Sequence, residues 1–469
     1  MSDDMLQNIV EHTNVKIQDL RSYVGASNRG KATYNDFNIT ELKCLIGCLI
    51  MAGTRKDNHL SAEHMFSSIY GCTFYKSLFS ERRFSFLLRC LRFDDQPTRQ
   101  VRMQTDKFAH IRALWDCVMN NCKNNYKAGQ TVTIDEQLLA FRGRCAFRMY
   151  IPNKPAKYGI KLFMVCDAEK LYCLYAIPYL GKESTARVTL NKGQYFSMKL
   201  LNDGNLIEAG RISCADNWFL SLNLATAMLR EEMHLVGTIR PKAYMPMETV
   251  KNMRMGVKEA VAYFHHEKKV NMVSKKTKKK HVTFLTTIHN KFTYVENMKT
   301  EVNMFYNAAK GGVDAFDMMC AATSTNRKTE RWPQCVFYGL LNIIMNNSWV
   351  IYKSRPENNR AEKYDFLLNM AVQLAKPWAE FRYTERHDLL PIPIREPLRV
   401  TFDLVPFRPA QPATDNAFES RRTADKRKRC KYGAQSTTWR GKGICDKCKG
   451  FVCNNHSTVL CKDCWQGLF

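Results

Sequence analysis

The spacing of apolar residues changes near Gln130, and this change constrains the fold more than any other feature of the sequence. Before it, apolar residues recur every three or four positions, as they do along one face of a helix. Thr40–Ile50 shows this pattern most clearly, and Thr105–Asn120 repeats it. Ser80 precedes a further segment of this kind and is a suitable N-cap residue. We therefore predict a helical bundle over residues 1 to about 130.

After Gln130, short segments rich in β-branched and aromatic residues predict strands. The two that follow the first are separated by a short polar stretch, which favours a hairpin. The last two flank a helical pattern at about 219–233. In order, the predicted strands are Thr131–Phe141, Ile160–Cys166, Leu171–Leu180, Arg211–Ala215 and Leu235–Ile239. Three antiparallel strands followed by strand, helix and strand predict a mixed α/β sheet.

Residues 241 to about 300 break this pattern and are predicted to be an insertion. Short strand candidates occur at Val261–Phe264 and Val282–Thr287. Between them, Lys268–His281 contains seven lysines and no acidic residue. Such a run is either a solvated loop or a DNA contact, and the sequence leaves both interpretations open. If it contacts DNA, we expect Lys275 and Lys276 to take part.

A helical pattern returns near Gly311 and continues to about Arg382, with expected interruptions at prolines 333, 356 and 377. Pro333 suits the first turn of a helix. Residues 391 to 429 are rich in proline and predict an extended, partly disordered linker, whose basic part we place at 406–429. The linker ends in Lys426-Arg-Lys-Arg429, a candidate nuclear-import signal or DNA contact, so we expect a nuclear protein.

Excess positive charge narrows the choice of partner. The formal net charge of +27 over 469 residues favours nucleic acid, with an anionic membrane surface as the second choice. No apolar run reaches about 18 residues, so no membrane-spanning helix is expected. The acidic N-terminus does not resemble a signal peptide, which favours a reducing compartment. The 12 cysteines outside the last 40 residues are then predicted to be small core side chains.

Three short acidic segments stand out against this basic background. The first places Asp135 within a strand, with Glu136 on the opposite face. In the second, Asp216 follows a strand, and in the third Asp314 and Asp317 share one helix face. Two-metal phosphoryl transfer requires about three converging carboxylates, and oxygen ligands suit Mg²⁺ or Mn²⁺. The spacing makes metal-dependent chemistry on nucleic acid a hypothesis, because many carboxylates occur in a chain of this size.

The motifs around these carboxylates resemble those of piggyBac transposases. They are the run Thr133–Lys161, the segment Cys214-Ala-Asp-Asn-Trp-Phe219 and the run Tyr306–Cys320, which contains Gly-Gly-Val-Asp-Ala-Phe-Asp. Arg327-Lys-Thr-Glu-Arg-Trp-Pro333 follows in the expected order. The resemblance extends from about residue 40 to the C-terminus, in long ungapped motifs. One departure is the short N-terminus, because many members of the family carry a long acidic extension there.

The resemblance implies both a fold and an activity. Asp135, Asp216 and Asp314 match the family's catalytic triad, and Asp317 matches the additional Asp beside the third. The implied fold is an RNase H-like catalytic domain (131–240 and 301–323) with an insertion domain (241–300). A helical domain for dimerisation and DNA binding would comprise 1–130 and 324–405. The implied activity is cut-and-paste transposition at TTAA targets through hairpinned ends, by a homodimer on double-stranded DNA.

A cysteine-rich tail, residues 430–469, predicts structural zinc. Three ligand pairs of the form Cys-x2-Cys or Cys-x2-His lie within 20 residues, and such a segment needs metal to fold. The resemblance implies a cross-brace with one complete site, Cys445, Cys448, Cys461 and Cys464. The second site would contain Cys430, Cys453 and His456 and lack a ligand, because Gly433 replaces the expected cysteine. We therefore expect one or two zinc ions, the second held more weakly.

Several basic and aromatic residues are candidate DNA contacts, each with an ordinary alternative. Arg240 and Lys242 follow a predicted strand near the carboxylates and could bind phosphates, or they could be surface charge. Trp332 could stack on an unpaired base, or it could be a core residue at a helix start. In the tail, where the family binds terminal-repeat DNA, we expect contacts from Lys431, Arg440 and Lys447.

The sequence thus predicts a metal-dependent DNA transposase, for which there are two alternative functions. One is a domesticated DNA-binding protein that keeps the fold without the chemistry; the loss of a triad carboxylate would favour it, but none is lost. The other is a RING-like ubiquitin ligase, suggested by the cross-brace. A ligase needs an exposed apolar groove for its partner enzyme, whereas this tail is crowded with lysine and arginine.

Overall fold

The computed structural model describes residues 1–25, 31–181, 191–240, 260–276, 281–291, 294–295, 299–387 and 390–407. In the tail it describes only the backbone of two short strand pairs, Lys428–Arg429 with Arg440–Gly441 and Gly443–Ile444 with Phe451–Val452. The chain divides into two compact units, Met1–Phe407 and Arg408–Phe469. The helices, the main sheet and the acidic residues Asp135, Asp216 and Asp314 all lie in the first unit.

Helices make up both ends of this first unit and cover its sheet. They are α1 (Asp3–Ser22), α2 (Ile39–Arg55), α3 (Ala62–Met65), α4 (Thr73–Leu78), α5 (Glu81–Cys90), α6 (Arg99–Thr105), α7 (Arg112–Asn124), α8 (Lys192–Asp203), α9 (Leu222–Arg230), α10 (Glu301–Ala309), α11 (Gly312–Ala322), α12 (Trp332–Lys353), α13 (Lys363–Thr384) and α14 (Ile392–Phe402). Single 3₁₀ turns occur at Ala32–Tyr34 and Pro356–Asn358. Within the described residues, no helix is both long and apolar enough to cross a membrane.

The main sheet is mixed and has nine strands, in the order β2-β3-β1-β5-β6-β9-β8-β7, with β4 paired to β3. They are β1 (Thr131–Ala140), β2 (Arg148–Tyr150), β3 (Tyr158–Asp167), β4 (Cys173–Pro178), β5 (Ile212–Ala215), β6 (His234–Ile239), β7 (Ala260–His265), β8 (Val270–Lys276) and β9 (His281–Thr286). A separate two-stranded pair joins β10 (Tyr294–Val295) to β11 (Lys299–Thr300).

Strand β1 lies where the antiparallel and the parallel parts of the sheet meet. It runs antiparallel to β3 on one side and parallel to β5 on the other, and β5 in turn runs parallel to β6. Helix α8 lies between β4 and β5 along the chain, and α9 connects β5 to β6, as a parallel pair requires. Helices α10, α11 and α12 also pack on β1. Most residues of β1, β5 and β6 are therefore buried, and the short strands β5 and β6 are mainly apolar.

The two ends of the chain form the helical part together. Helix α13 packs closely on α2: a Cβ built on Gly47 would lie 2.6 Å from the carbonyl oxygen of Ala371. Only glycine permits that approach. The Trp378 indole donates a hydrogen bond to the Leu78 carbonyl at 3.0 Å, which fixes α13 against α4 as well. The helical part therefore needs both the first hundred residues and those after about 360.

A buried ion pair connects α2 to α5 within this helical part. Arg83 donates to both oxygens of Glu41, at 2.9 Å and 2.6 Å, and its side chain is 9% exposed against 3% for Glu41. The same guanidinium donates to the carbonyl oxygens of Thr33, Asn35 and Asp36. All five donors of the fork have acceptors, which is what a buried arginine requires.

Most of the predicted elements are confirmed. The five predicted strands correspond to β1, β3, β4, β5 and β6, and β3 and β4 form the predicted hairpin. The Ser80 hydroxyl accepts from the Arg83 amide as an N-cap, and Pro333 lies in the first turn of α12. Nine of the 12 scattered cysteines are buried, as expected of core side chains.

The predicted helix over Thr105–Asn120 is wrong at its start. Helix α6 ends at Thr105 and α7 begins at Arg112. The Asp106 carboxylate between them accepts from the Phe108 amide at 2.9 Å and from Arg112 at 2.8 Å. An aspartate that bonds to nearby donors in this way stabilises a turn in competition with the helix.

Proline does not act as predicted near the C-terminal end of this unit. Pro377 lies inside α13 without ending it, because Ala371, Ala375 and Trp378 are buried against neighbouring helices. The predicted extended linker begins with helix α14, whose Leu398 and Phe402 are buried and whose interior contains Pro397. In both places tertiary packing outweighs the cost of the missing backbone donor.

The predicted insertion contributes to the main sheet. Strands β7 and β9 match the two predicted candidates, and β9 pairs antiparallel with β6, so β7–β9 extend the same sheet. Residues 270–276 form β8, which corrects the interpretation of this part of the lysine run as a loop. Burial along β8 does not alternate and lysines occupy its end, so no period-two pattern marked this strand in the sequence.

Candidate active site

Three alternate residues of β1 face α10 and α11. The Thr133 hydroxyl donates to the Ala309 carbonyl at 2.7 Å, and the Gln137 amide donates to Asp317 Oδ1 at 2.9 Å. Asp135 lies between them in sequence and therefore shares their face, since side chains alternate along a strand. The strand thus directs Asp135 toward the helix that carries Asp314 and Asp317.

Helix α11 approaches β1 closely because it begins with glycine. A Cβ built on Gly312 would lie 2.6 Å from Thr133 Oγ1, so any larger residue would push the helix away from the strand. Asp314 lies in the first turn of this helix, where the positive end of the helix dipole favours a carboxylate. Asp317, one turn later, points to the same side and meets Gln137.

Asp216 reaches the site from the end of the neighbouring parallel strand. Ile134 of β1 is in register with Ala215 of β5, so Asp135 and Asp216 are the next residues of adjacent strands. The Thr238 hydroxyl donates to Asp216 Oδ1 at 2.8 Å, and the Tyr306 hydroxyl donates to the same atom at 3.5 Å. Tyr306 belongs to α10, so Asp216 also points toward the side of the sheet covered by α10 and α11.

A lysine from the loop between β2 and β3 completes the site. Lys154 Nζ donates to the Glu136 carbonyl at 3.0 Å and contacts Asp314 Oδ1 at 3.4 Å. Burial lowers the pKa of Lys154, but the attraction of Asp314, Asp135 and Glu136 outweighs it and raises the pKa above its usual value. Lys154 therefore remains a cation among these carboxylates.

The carboxylates also perturb one another. Burial, followed by the charges of Glu136 and Asp314, raises the pKa of Asp135 from 3.8 to about 7, against the opposing effects of the Glu136 amide and Lys154. Burial likewise raises the pKa of Asp317, although its hydrogen bond from Gln137 acts in the other direction. For both carboxyl groups the largest cause is burial, which disfavours the charged form, and neighbouring negative charge adds to it. Perturbed pKa values of this kind are common at functional sites.

The opposite face of β1 presents a second set of side chains. Glu136 contacts Lys161, with 3.8 Å between Oε2 and Nζ. The Lys161 ammonium lies 5.0 Å from the Trp218 ring centroid and 4.8 Å from that of Phe163. Glu136 therefore has its own counter-ion, and its side chain is separated from those of Asp135 and Gln137 by the strand itself, as the sequence predicted.

The donors fit a divalent cation in kind, because Asp135, Asp216 and Asp314 offer only carboxylate oxygens. Burial and then the negative charges of Glu136 and Asp314 raise the pKa of Asp135, and a cation beside Asp135 would offset those two charges. Within the described ranges, however, no group of three or more His, Cys, Asp or Glu side chains is gathered closely enough to hold a metal ion. Asp314 is instead engaged by the Lys154 ammonium.

The predicted DNA contacts have different surroundings. Arg240 is exposed directly after β6. Lys275 is buried within β8, and Lys276 Nζ lies 3.0 Å from the His281 ring. Trp332 is half-buried and stacks on Phe108, with 5.5 Å between ring centroids. The predicted residues outside the described part of the chain are Lys242, Lys431, Lys447, Cys430, Cys445, Cys448, Cys453, His456, Cys461 and Cys464; Arg440 is described by its backbone alone.

A basic groove of about 910 Å³ lies beside the site. Its walls are the end of β1, the following loop, β2, the start of β3, the segment before α12 and the first turns of α12. The exposed cations along it are Arg142, Arg144, Arg148 and Lys328. Its acidic residue, Glu330, is also exposed, so the groove carries a net positive charge.

Sequence reasoning missed four polar residues that position the carboxylates. Gln137, Lys154 and Tyr306 lie within the motifs that carried the family resemblance, so their motif membership was an available signal. Thr238 gave no comparable signal, because a threonine near the end of a strand is common. Its role depends on the pairing of β6 with β5, where Gly237 is in register with Ala215.

Comparison with known proteins identifies the family. A family model described as Transposase IS4 matches residues 1–349. The cryo-EM structure of a piggyBac transposase synaptic complex with hairpin DNA is 33% identical to this chain and has a TM-score of 0.80. The match covers 99% of this chain and 95% of that one. The chain belongs to the piggyBac transposase family. The resemblance predicted from the three motifs is therefore confirmed.

Two human proteins are also similar to this chain, at lower sequence identity. The human piggyBac transposable element-derived protein 3 is 23% identical over 270 residues, a match that covers 54% of this chain and 45% of the relative. The human chimeric ERCC6-PGBD3 protein is 23% identical over 270 residues, covering 54% of this chain and 25% of the relative. The chain thus spans less than half the length of these two piggyBac-related proteins.

Proposed function

We propose that this protein is a cut-and-paste DNA transposase that cleaves and joins DNA strands at the site of Asp135, Asp216 and Asp314, with Asp317 in support. The observation that carries the proposal is the convergence of β1, β5 and α11. This arrangement directs Asp135 and Asp216 to the helix that bears Asp314. We further propose that this part of the sheet is an RNase H-like core.

The chain's own residues have defined tasks in this proposal. Thr238 and Tyr306 hold one oxygen of Asp216, and Gln137 holds one oxygen of Asp317, so the carboxylates are oriented before DNA arrives. Exposed arginines of the groove bind phosphates and fix the register of the DNA. Asp135, Asp216 and Asp314 would hold a Mg²⁺ or Mn²⁺ ion, which would supply Lewis-acid stabilisation of charge on the scissile phosphate.

The DNA ends, the hairpin intermediate and the target sequence are proposed by analogy with the family. The solved relative is a synaptic complex with hairpin DNA. We propose by analogy that this protein binds terminal inverted repeats as a homodimer, cleaves through hairpinned ends and integrates at TTAA. An excision assay on the element's own ends tests this directly. Hairpinned ends on a denaturing gel and TTAA at sequenced insertions are expected, whereas end binding without any cleavage would indicate a DNA-binding protein.

Thr238→Val should slow strand cleavage by about tenfold or more, because it removes the hydroxyl that orients Asp216 and keeps the side-chain shape. DNA affinity, measured by fluorescence anisotropy, should stay within about twofold, since Thr238 is not expected to contact phosphate. The matched control is Thr226→Val, which removes a hydroxyl bonded only to its own helix. Equal cleavage rates for Thr238→Val and the wild type would exclude a role in orienting Asp216.

Replacing Arg142, Arg144 and Lys328 by Ala should weaken DNA binding and reduce its salt dependence. Each lost phosphate contact lowers the slope of log K against log salt by about 0.9, so three contacts change it by roughly 2.7. Replacing Lys276 together with Lys278, Lys279 and Lys280 tests the lysine run in the same way. An unchanged slope in either variant would remove that surface from the DNA interface.

We propose that the tail binds one or two structural zinc ions and contacts terminal-repeat DNA, and that Lys426–Arg429 directs the protein to the nucleus. Native mass spectrometry of the full chain during chelator titration should release two zinc ions at different chelator strengths, because the site without a ligand at Gly433 is open and weaker. One zinc at every stage would leave Cys430, Cys453 and His456 without a metal role. Gly433→Cys should tighten the weaker site.

A further inference from the structure

Lys154 is held at the acidic site by a compact turn. Ile151 and Lys157 close this turn through a backbone hydrogen bond of 2.8 Å, and Lys154 bonds to both through its own backbone. Pro152 and Pro155 restrict the backbone on either side of the lysine. The turn therefore projects one ammonium group over β1 in a defined position, so the placement of Lys154 is built into the loop.

The ammonium contacts a carboxylate that is otherwise exposed. Its Nζ lies 3.4 Å from Asp314 Oδ1 and donates to the Glu136 carbonyl at 3.0 Å. The Lys154 side chain is 21% exposed, against 65% for Asp314. The same ammonium also interacts electrostatically with Asp135 and Glu136. A single half-buried cation thus offsets the charge of carboxylates from both β1 and α11.

We infer that Lys154 is a built-in counter-ion that competes with the divalent cation for Asp314 and so sets how tightly the site binds that ion. This inference rests on the proposed function, because it takes Asp314 to be a metal ligand. The lysine offsets part of the negative charge of the site while no ion is bound, and ion binding must release Asp314 from it. Cations that need the same oxygen compete, and each nearby charge of this kind changes ionic affinity by roughly tenfold or more.

The test is a Mn²⁺ titration of the full chain without DNA, followed by the electron paramagnetic resonance signal of free Mn²⁺. Lys154→Met, which keeps the chain length and removes the charge, should bind Mn²⁺ roughly tenfold more tightly than the wild type. Lys154→Arg should stay close to the wild type. The matched control is Lys170→Met, which removes an exposed lysine paired with Glu169 and far in sequence from the acidic segments. Asp314→Asn should weaken Mn²⁺ binding, which would show that the titration reports on the site that contains Asp314.

A second measurement uses the wild-type chain and does not depend on the folding of a variant. A reagent that acetylates amines should modify Lys154 faster with Mn²⁺ than without it, because ion binding releases the ammonium group from Asp314. Lys170 should be modified at the same rate in both conditions. Mass spectrometry reads both positions in one sample.

The outcomes separate this inference from the proposed function. The counter-ion role would be overturned if Lys154→Met bound Mn²⁺ no more tightly than the wild type. It would also be overturned if Mn²⁺ left the labelling rate of Lys154 unchanged. Either result would leave the proposed function intact. Failure of both the wild type and Lys154→Met to bind Mn²⁺ would overturn the metal assignment itself, and the role of Lys154 with it.

Discussion

Asp216→Asn should abolish DNA strand cleavage, with a loss of at least about 10²-fold in rate, and leave binding of the transposon ends nearly unchanged. The substitution keeps the side-chain size and its contacts with Thr238 and Tyr306, but it replaces the carboxylate that we propose as a metal ligand by an amide, which binds Mg²⁺ poorly. In the proposed function lysine and arginine supply the phosphate contacts, so DNA affinity should be unaffected. Cleavage of a labelled end substrate by the purified protein gives the rate, and anisotropy gives the affinity.

The controls for this experiment lie in the same chain. Asp135→Asn and Asp314→Asn should behave like Asp216→Asn, whereas Asp317→Asn should be milder if Asp317 only supports the site. Asp365→Asn, an exposed carboxylate in the first turn of α13, should cleave at the wild-type rate. Cleavage by Asp216→Asn within tenfold of the wild type would refute the assignment of Asp216 as a ligand.

Arg83→Met should destabilise the protein by about 3–5 kcal/mol, because it leaves the Glu41 carboxylate buried without its partner. The carbonyl oxygens of Thr33, Asn35 and Asp36 would lose their donor at the same time. The expected result is a large decrease in the urea concentration at which circular dichroism reports half-unfolding. The helical part should be affected first, since Arg83 connects α5 to α2.

Two further variants test whether the loss of stability comes from the buried, unpaired charge of Glu41. Lys199→Met removes one partner of the surface ion pair with Asp203, in which each side chain is about a third or more exposed. This substitution should change the free energy of unfolding by less than about 1 kcal/mol. Replacing Arg83 and Glu41 together by Met and Leu should recover part of the loss, because no charge is then left buried. An Arg83→Met protein within 1 kcal/mol of the wild type would mean that Glu41 is hydrated in solution.

The order and type of the elements around the acidic residues could be predicted from the sequence because each signal there is local. Segments rich in β-branched and aromatic residues marked β1, β3 and β4, and a helical pattern from about Gly311 marked α11. The alternation of Asp135 and Glu136 across β1 followed from strand geometry alone. The assignment of the three carboxylates to one site, however, required the family resemblance, because spacing does not give register between distant strands.

Other features depended on contacts that sequence patterns do not encode. Strand β8 was hidden because lysines occupy part of it, and the sheet placement of β7–β9 depends on the pairing of β9 with β6. Thr238 reaches Asp216 only because β5 and β6 are parallel and in register. Lys154 acts from a loop, where side-chain direction is set by the turn. Pro377 and Pro397 lie within helices because buried neighbours on α13 and α14 outweigh local preference.

The pairing of α2 with α13 has a consequence for synthesis on the ribosome. Gly47 emerges early, but Ala371, against which it packs, follows roughly 300 residues later. At about 5–20 residues per second, the apolar face of α2 waits for tens of seconds before its partner helix is made. The sheet can form during that interval, whereas the helical part can close only after α13 has been synthesised. Nascent chains of this protein therefore present a hydrophobic helix for chaperones to shield until α13 arrives.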